Sequence, residues 1–434
     1  MRVGAVVAGA LLAAVVAVSG ASAADPDPTL YCVGDGGPLG AATAAEHTVL
    51  VGDPKPPQGV TERRLTVRGG TTRIIEAGPR DAKEAVLFVH GNPGSARDWD
   101  DLVAANGRFA RTIALDIPGW GKSEKSNAAI QTLDGAAAYI EAVRRKLGIE
   151  RVILVAHDFG GIWGLQWASQ HPDALTGVVL IDTGVLKNYV PHPLALVWAT
   201  PGAGEAQVAS TTRQTFHVGI NYMQPRPFPD GFIDRMYDDY DRLTRCALLR
   251  YYRSVRDATV PDSNALANKQ IAALSKRRRP ALVIWGAKDP YIPSQQAYMQ
   301  RAAFPGARVE IFQDSGHWPF VDNATRTRSL VVPFLRPRLV AKLGAVGARR
   351  VEVRVSAVGP LPAYRVIAGV GGATSKSTTV AGKRTLVIRL RHPLGAGIHR
   401  VKVRALGLPT RTLSLVVHRR TASGPRAPRD PEDR

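Results

Sequence analysis

Between about residue 65 and residue 335, short apolar runs alternate with segments of helical spacing. The runs are Ala85–Val89, Thr112–Leu115, Arg151–Val155, Leu175–Ile181, Ala281–Trp285 and Arg308–Phe312. Such alternation is typical of βαβ units around a parallel sheet. Leu65–Val67 and Arg73–Glu76 come before the first run and predict an antiparallel pair at the start of this sheet. The pattern therefore predicts an α/β domain.

The fourth and fifth runs are separated by about a hundred residues, Val185 to Arg279, which are rich in aromatic residues and follow helical spacing. Normal crossovers between parallel strands are far shorter than this. The segment therefore predicts a helical insertion, or cap, over one end of the sheet.

After Phe334 the pattern changes to alternation of apolar with polar or basic positions. The apolar positions are Val351, Val353, Val355, Leu386, Val387, Ile388, Val401, Val403, Leu413, Leu415 and Val417. Period-two alternation interrupted by glycine-containing breaks predicts a small antiparallel β-sandwich.

The N-terminus has the three parts of a secretory signal peptide. Arg2 supplies the positive charge, Val3–Val18 is apolar, and Ala21-Ser22-Ala23 is a small-residue cleavage motif. We expect cleavage near Ala23 and a secreted, extracellular protein. A retained membrane anchor is the alternative, although the apolar run is shorter than the roughly 20 residues that a span needs.

These patterns divide the 434 residues into segments that can hold two folded domains. Residues 1–23 are the signal peptide, 24–60 an N-terminal arm, 61–184 and 276–337 the α/β core, 185–275 the helical cap, 346–420 a basic β-sandwich-like domain and 421–434 a disordered tail.

The formal charge of +21 is concentrated at the C-terminal end of the chain. Residues 341–434 hold 19 lysine and arginine residues against 4 acidic ones. This excess suggests docking on an anionic cell wall, membrane surface or polyanion, with an ordinary solvated basic surface as the alternative. We expect no nucleic-acid partner, because no recognised reading motif is present.

The chain has two cysteines, Cys32 and Cys246. An even number of cysteines in an exported chain allows a disulfide between the N-terminal arm and the cap. Two unpaired thiols are the alternative, and neither cysteine is expected to be catalytic.

Each parallel run of the first domain ends in a polar, glycine-marked turn. Among the turns that contain histidine or aspartate are His90–Gly94, Asp116–Gly121, Ala156–Gly161 and Asp314–Trp318. Ligands of open α/β sheets bind outside the carboxyl ends of the strands, where these turns would meet.

Residues 60–337 resemble the α/β-hydrolase superfamily. The turn Ala156-His157-Asp158-Phe159-Gly160-Gly161 resembles its nucleophile elbow, G-x-S-x-G, with Asp158 in place of the serine and Ala156 in place of the first glycine. Asp289 and His317 follow in the family's chain order of nucleophile, acid and histidine. The resemblance is to the members with an aspartate nucleophile, epoxide hydrolases and haloalkane dehalogenases, and it implies a mostly parallel sheet flanked by helices with a helical cap.

An aspartate in this position changes the chemistry that is expected. A carboxylate is already ionised at neutral pH, and attack on a saturated carbon that bears a leaving group gives an ordinary ester. His317, oriented by Asp289, would then activate the water that hydrolyses this ester. The backbone N–H groups of Asn92 and Phe159 would stabilise the oxyanion. The expected substrate is a small apolar electrophile, with water as the second reactant and no metal or cofactor.

Several of these residues have alternative interpretations. Asp158 could have a purely structural role as the cap of the following helix. Asp182 is a rival for the triad acid, with helix capping as its more ordinary role. Asp116 is expected to brace the turn around Gly119. His90 and His157 are expected to be structural hydrogen-bonding groups.

The groups that could stabilise the leaving atom distinguish an epoxide from an alkyl halide as substrate. An opening epoxide needs a proton donor, and the resemblance implies cap tyrosines: Tyr252, in Leu248–Arg253, and Tyr222 as the second, with Tyr189 and Tyr237 as alternatives. A departing halide needs N–H donors, which Asn92 offers and the ring of Phe159 does not. The sequence therefore predicts an epoxide hydrolase, with a haloalkane dehalogenase or a catalytically silent binding protein as alternatives.

Overall fold

A computed structural model describes residues 52–67, 70–222, 224–259, 264–336, 338–358, 364–380, 383–405 and 410–418. The predicted signal peptide, Cys32, most of the predicted arm and the predicted disordered tail lie outside the described residues. The chain divides into two compact units, Met1–Arg336 and Pro337–Arg434. Each unit is described by itself below.

An eight-stranded sheet forms the centre of the first unit. Its strands are β1 (Thr61–Val67), β2 (Gly70–Ala77), β3 (Glu84–Val89), β4 (Arg111–Leu115), β5 (Arg151–His157), β6 (Leu175–Ile181), β7 (Ala281–Gly286) and β8 (Arg308–Phe312), in the spatial order β1-β2-β4-β3-β5-β6-β7-β8. The first two strands run antiparallel to their neighbours, and the rest are parallel. The predicted fold class is thereby confirmed.

The central strands are mainly apolar because both faces of the sheet are covered. Every residue of β6 is buried, for example, and Leu175–Ile181 accordingly shows no alternation. The flanking helices are α1 (Asp100–Gly107), α2 (Leu133–Lys146), α3 (Phe159–Gln170), α10 (Gln295–Met299), α11 (Pro319–Asp322) and α12 (Ala324–Leu335).

In the described part of the chain, six helices lie between β6 and β7 and form the cap. They are α4 (Pro193–Ala199), α5 (Ala203–Ala209), α6 (Arg213–Asn221), α7 (Asp230–Asp238), α8 (Arg242–Thr259) and α9 (Ala265–Leu274). Helix α8 carries Cys246 to Leu249 and Tyr251 on buried positions, so the cap and the sheet share one hydrophobic core. Cys246 is not a free thiol.

The second unit consists of two antiparallel sheets. Its strands are β9 (Arg338–Gly347), β10 (Arg350–Val358), β11 (Tyr364–Val370), β12 (Ala373–Thr374), β13 (Thr378–Val380), β14 (Lys383–Arg389), β15 (Gly397–Ala405) and β16 (Arg411–Val417). One sheet has the order β14-β10-β9 and the other β12-β11-β15-β16, with β13 beside β11. Alternate residues of both sheets, such as Val353 and Val403, meet in one core.

The expected start of this unit at residue 346 is wrong. Strand β9 begins at Arg338 and pairs with β10 along most of its length. The alternation in β9 is weak, since alanine and glycine stand among its apolar positions and Val340 and Val346 are exposed. The edge position of β9 in its sheet explains why the sequence pattern did not reveal it.

Among the described helices, none is both long and apolar enough to cross a bilayer.

Candidate active site

Asp158 stands at the sharp turn between β5 and α3. Its backbone has φ 48° and ψ −126°, a conformation that side-chain-bearing residues rarely adopt. The Asp158 side chain makes no hydrogen bond to the first turn of α3, so it does not cap the helix that it precedes. A strained residue that is not used as a cap points to a functional role.

Close packing around the turn holds this strained backbone in place. The Thr183 hydroxyl donates to the Asp158 carbonyl oxygen at 2.6 Å. A Cβ on Gly160 would collide with the Val89 carbonyl oxygen, so only glycine lets α3 begin this close to β3. The strain of the turn is therefore balanced by contacts with the neighbouring strands.

The two carboxylate oxygens of Asp158 have different partners. The Asn92 backbone N–H donates to Oδ1 at 2.7 Å, and His317 Nε2 lies 3.4 Å from Oδ2. Burial by itself would raise the pKa of Asp158, but the hydrogen bond and charge of His317 and the Asn92 N–H hold it below its ordinary value. The carboxylate is therefore ionised at neutral pH.

His317 is held from its other side by Asp289. Its Nδ1 donates to Asp289 Oδ2 at 2.8 Å, while Asp289 Oδ1 accepts the backbone N–H groups of Tyr291 at 2.8 Å and Ile292 at 3.0 Å. Burial opposes charge on His317, yet Asp289 and Asp158 raise its pKa well above the ordinary value. The sequence-predicted nucleophile, histidine and acid thus lie together: His317 is hydrogen-bonded to Asp289 and lies at ion-pair distance from Asp158.

Asp182 does not cap a helix, so the expectation of a capping role is wrong. It follows β6 with φ 46°, and its Oδ1 accepts the Gly286 N–H at 2.9 Å. Asp182, Asp289 and His317 bring their polar atoms within 4.8 Å of one another. The Nδ1–H of His317 is hydrogen-bonded to Asp289, so Asp289 occupies the position of the orienting acid. This hydrogen bond explains why the three side chains lie so close together.

Two further histidines support the turns, as expected. His157 Nε2 lies 2.8 Å from the His317 carbonyl oxygen, and burial lowers the pKa of His157 to about 3. A neutral ring with its proton on Nε2 fits this contact. His90 Nε2 accepts the Ile117 N–H at 3.1 Å, which ties the turn that carries Asn92 to the end of β4.

Asp116 braces the turn after β4, as expected. It accepts the N–H groups of Ala96 at 2.7 Å and Lys122 at 2.8 Å and pairs with the buried Arg73 at 2.8 Å. Burial alone would raise its pKa, and Arg73 together with these hydrogen bonds lowers it. Its oxygens are fully used in structure and take no part in the site.

Tyr252, on α8, reaches the site from the cap. The Asn92 side-chain amide donates to the Tyr252 hydroxyl at 3.2 Å, and the Tyr252 ring packs against Phe159 with centroids 4.8 Å apart. Burial and the nearby charge of Asp158 raise the pKa of Tyr252 well above its ordinary value. The hydroxyl is therefore protonated at neutral pH and, as an acceptor from Asn92, keeps its own proton to donate.

The other tyrosines considered from the sequence lie in different places. Tyr189 donates to the Tyr291 carbonyl oxygen at 3.2 Å, and the charge of Asp158 adds to the burial that raises its pKa. Among the described contacts, the Tyr222 hydroxyl makes none with Asp158, Asn92 or Tyr252. Tyr237 packs inside the cap on Phe216 and Tyr240.

Sequence reasoning did not identify the aromatic residues that pack around His317 and Tyr252. Tyr291 stacks edge-on with His317 at 5.0 Å and with His192 at 5.1 Å, and Trp198 packs against Tyr252 at 4.9 Å. Burial lowers the pKa of His192 to about 4, so its ring is neutral. The position of Tyr291, two residues after Asp289, was the one signal available in the sequence.

The fold, the strained turn and the bonded histidine define a capped α/β hydrolase. Residues 84–324 match the family model described as the alpha/beta hydrolase fold. The chain therefore belongs to the α/β-hydrolase fold family.

Similar proteins act on different substrates. A 2-hydroxy-6-oxononadienedioate/2-hydroxy-6-oxononatrienedioate hydrolase of Paraburkholderia phymatum is 26% identical over 296 residues, or 64% of this chain and 96% of that protein. The Cif epoxide hydrolase of Acinetobacter nosocomialis has a TM-score of 0.55 at 16% identity, over 73% of this chain and 99% of that one. The haloalkane dehalogenase DatA of Agrobacterium tumefaciens C58 has a TM-score of 0.53 at 21% identity, over 64% and 96%. These likenesses support a hydrolase without defining its substrate.

Proposed function

We propose that this protein is an epoxide hydrolase that works through an ester on Asp158. The observation that carries the proposal is the closeness of three groups. An ionised carboxylate, a protonated cap hydroxyl and a histidine–aspartate pair are joined by direct contacts through Asn92 and His317. The predicted signal peptide over residues 1–23 supports an extracellular site of action.

In the first step, the Asp158 carboxylate attacks one epoxide carbon. Oδ1 stays on the Asn92 N–H and becomes the ester carbonyl oxygen, while Oδ2 forms the new bond to carbon. The carbon–oxygen bond of the epoxide breaks, and its electron pair goes to the leaving oxygen. Tyr252 donates its proton to that oxygen, so a neutral hydroxyl results and the negative charge passes to the phenolate. The Asn92 amide, 3.2 Å from the Tyr252 oxygen, stabilises the phenolate.

In the second step, His317 removes a proton from a water molecule that attacks the ester carbon. The developing oxyanion is the former Oδ1, which the Asn92 N–H already holds, and the first N–H of α3, from Phe159, has no acceptor within its own helix. Collapse of the tetrahedral intermediate releases the diol, whose departing oxygen takes the proton from His317. Asp158 is released as the carboxylic acid and loses its proton, and the phenolate of Tyr252 takes up one proton, so both groups return to their starting states.

A second candidate function is haloalkane dehalogenase, and one observation favours it. The Asn92 side-chain amide faces the same space as Asp158 and would donate to a halide. The indole N–H of Trp198, which would be the natural partner donor, is already bonded to Gln207 at 2.5 Å. A hydroxyl donor with an occupied indole fits a leaving alkoxide better than a leaving halide. The strained backbone of Asp158 argues against a catalytically silent binding protein, which would not require that conformation.

A turnover panel of small epoxides and bromoalkanes tests the proposal. We expect diol from at least one epoxide with the wild type and no product with Asp158→Asn. Tyr252→Phe should slow epoxide turnover by about 10²–10⁴, the usual contribution of general acid catalysis. Free halide without diol would favour the dehalogenase, and absence of all turnover would favour the silent protein.

Tyr222→Phe is the matched control for Tyr252→Phe. Both variants remove one hydroxyl from a cap tyrosine, but only Tyr252 touches the site in the structure. We expect Tyr222→Phe to retain wild-type turnover. Tyr189→Phe should fall between the two, because its hydroxyl is close enough to feel the Asp158 charge.

A further inference from the structure

One face of the larger sheet in the second unit carries a regular row of cations. In β15, Val401, Val403 and Ala405 point into the core, so Arg400, Lys402 and Arg404 point outward. Side chains on one face of a strand repeat every two residues, about 6.8 Å apart. Arg365 of β11 lies on the same outer face, next to this row. We call these four residues the basic sheet face.

The basic sheet face has no counter-charge among the residues that the structure describes. All four side chains are exposed, and the one described carboxylate of this unit, Glu352, lies on the other sheet and pairs with Arg350. Hydroxyls of Thr412 and Ser414, on the neighbouring β16, stand opposite Lys402 and Arg400. The face therefore presents unneutralised cations and small polar groups to an outside partner.

An apolar pair adjoins the cations on this same face. Ile398 and Val416 stand directly opposite each other on β15 and β16, and they are 73% and 53% exposed. Lysine and arginine beside exposed aliphatic groups suit an anionic bilayer, where cations meet headgroups and the aliphatic groups enter the interface. Single-stranded nucleic acid would need aromatic stacking groups, and the described outward positions of β11, β15 and β16 carry none.

We propose that the basic sheet face docks this protein on an anionic phospholipid surface, with Ile398 and Val416 inserted at its edge. The attraction comes from the headgroup phosphates and weakens with salt, since the cations are exposed. The docked chain would be delivered to the place where small apolar substrates concentrate, the bilayer itself.

Vesicle sedimentation with the full chain tests this proposal. The wild type should bind vesicles that contain 30% phosphatidylglycerol at low salt, and bind pure phosphatidylcholine much less. The triple variant Arg400→Ser, Lys402→Ser, Arg404→Ser should bind about 100-fold more weakly, given the usual contribution of each basic side chain at a charged bilayer. Ile398→Ser with Val416→Ser should also weaken binding.

A control variant separates a specific face from net charge. Arg350→Ser, Arg354→Ser, Arg389→Ser removes the same charge from the outer face of the other sheet, and it should leave vesicle binding within about threefold. Equal losses in both triple variants would overturn the proposal, as would failure of the wild type to bind. Equally strong binding to dextran sulfate, unaffected by the Ile398 and Val416 changes, would show a soluble polyanion as the partner instead.

An independent observation concerns the carboxyl group behind the histidine–aspartate pair. Asp182 is completely buried, and its Oδ2 has no hydrogen-bond donor among the described residues. The titratable groups packed against it are Asp289, after β7, and His317, after β8. Two adjacent buried carboxylates repel each other, and one histidine cation cannot neutralise both.

We propose that Asp182 is a protonated acid that donates a hydrogen bond to Asp289, and so acts as a positioning residue for His317. The donated hydrogen bond spreads the charge of Asp289 and limits how strongly Asp289 raises the pKa of His317. Its catalytic consequence rests on the proposed function, but the protonation state of Asp182 does not.

Nuclear magnetic resonance titration of His317 in the free protein tests this without any turnover. Asp182→Asn keeps both the donor toward Asp289 and the acceptor for Gly286, so the pKa of His317 should stay within about 0.3 of the wild-type value. Asp182→Ala removes the donor and should raise the pKa. A fall of about one unit or more in Asp182→Asn would mean that a negative charge had been removed, and would overturn the proposal.

Discussion

At the scale of single residues, the decisive feature is the electrostatic coupling between Asp158 and His317. The negative charge of Asp158 is one of the causes that raise the pKa of His317 in the free protein. Formation of an ester would convert Asp158 to a neutral group and remove that contribution. The pKa of His317 would then fall at the moment when a base is required.

This coupling predicts a difference between two pH measurements. His317 must be neutral to activate water, so hydrolysis of the ester should decline as the pH falls through the pKa of His317 in the intermediate. That pKa should be lower than the pKa of His317 in the free protein, since the Asp158 charge is absent. Rapid-quench measurement of ester hydrolysis against pH, compared with resonance titration of free His317, checks this. Coincident values, or a higher one in the intermediate, would contradict it.

A second prediction concerns Gly91, which lies directly against the nucleophile. A Cβ at this position would stand 2.5 Å from the Asp158 Cβ and 2.9 Å from His157 Nδ1. Gly91→Ala should therefore displace Asp158 from its hydrogen bonds and lower kcat/KM by about 100-fold, the usual effect of a misplacement near 1 Å. Steady-state kinetics on the best substrate provides the measurement.

Gly231→Ala, on α7, is the control for this change. Its Cβ would meet no atom within 4 Å, so turnover should stay at the wild-type level. If Gly91→Ala were as active as Gly231→Ala, the position assigned to the Asp158 carboxylate would be wrong.

At the scale of elements, buried ion pairs join the cap to the turns of the core. Arg235 of α7 bonds Asp98 at 2.7 Å and the Ser95 hydroxyl at 3.0 Å. Both charged side chains are almost fully buried, 7% and 1% exposed. Removing one partner of such a pair leaves the other charge without compensation.

Arg235→Met should therefore lower the free energy of unfolding by about 3–5 kcal/mol. The matched control is Arg226→Met, because Arg226 also joins the cap to the core through Asp314 at 2.8 Å, but in an exposed pair. That variant should lose less than about 1 kcal/mol. Denaturant unfolding of the two variants beside the wild type measures both values, and equal losses would show that burial does not set the strength of these pairs.

The elements also differ in how much of them the sequence determined. The parallel strands were predicted closely. A strand buried on both faces is a continuous apolar run, and turn-forming residues mark its ends. The arrangement of the cap helices in space depends on packing between distant segments. The same packing determines which side chains they bring close to Asp158. Tyr252 was found through a local motif, whereas the nearness of Tyr189 to Asp158 depends on how the loop after β6 folds back.

At the scale of the whole molecule, the chain combines a capped hydrolase unit with a separate basic β unit. The resemblance to the α/β-hydrolase superfamily, with Asp158, Asp289 and His317 in its chain order, predicted a shared site, and turns after parallel strands do meet at one edge of the sheet. The role proposed for Asp182 was not predicted, because charge repulsion between two buried carboxyl groups has no sequence signature. The basic sheet face required the register of β15 and β16, which only the structure provides.

The covalent role of Asp158 is tested most directly by one turnover in water labelled with ¹⁸O, with protein in excess over the epoxide. The account predicts that the oxygen added to the first product comes from Asp158 and carries no label. Mass spectrometry of the peptide that contains Asp158 should then find ¹⁸O in its carboxylate. Label in the first diol and none in Asp158 would mean that water attacks the substrate directly, and would contradict the proposed ester.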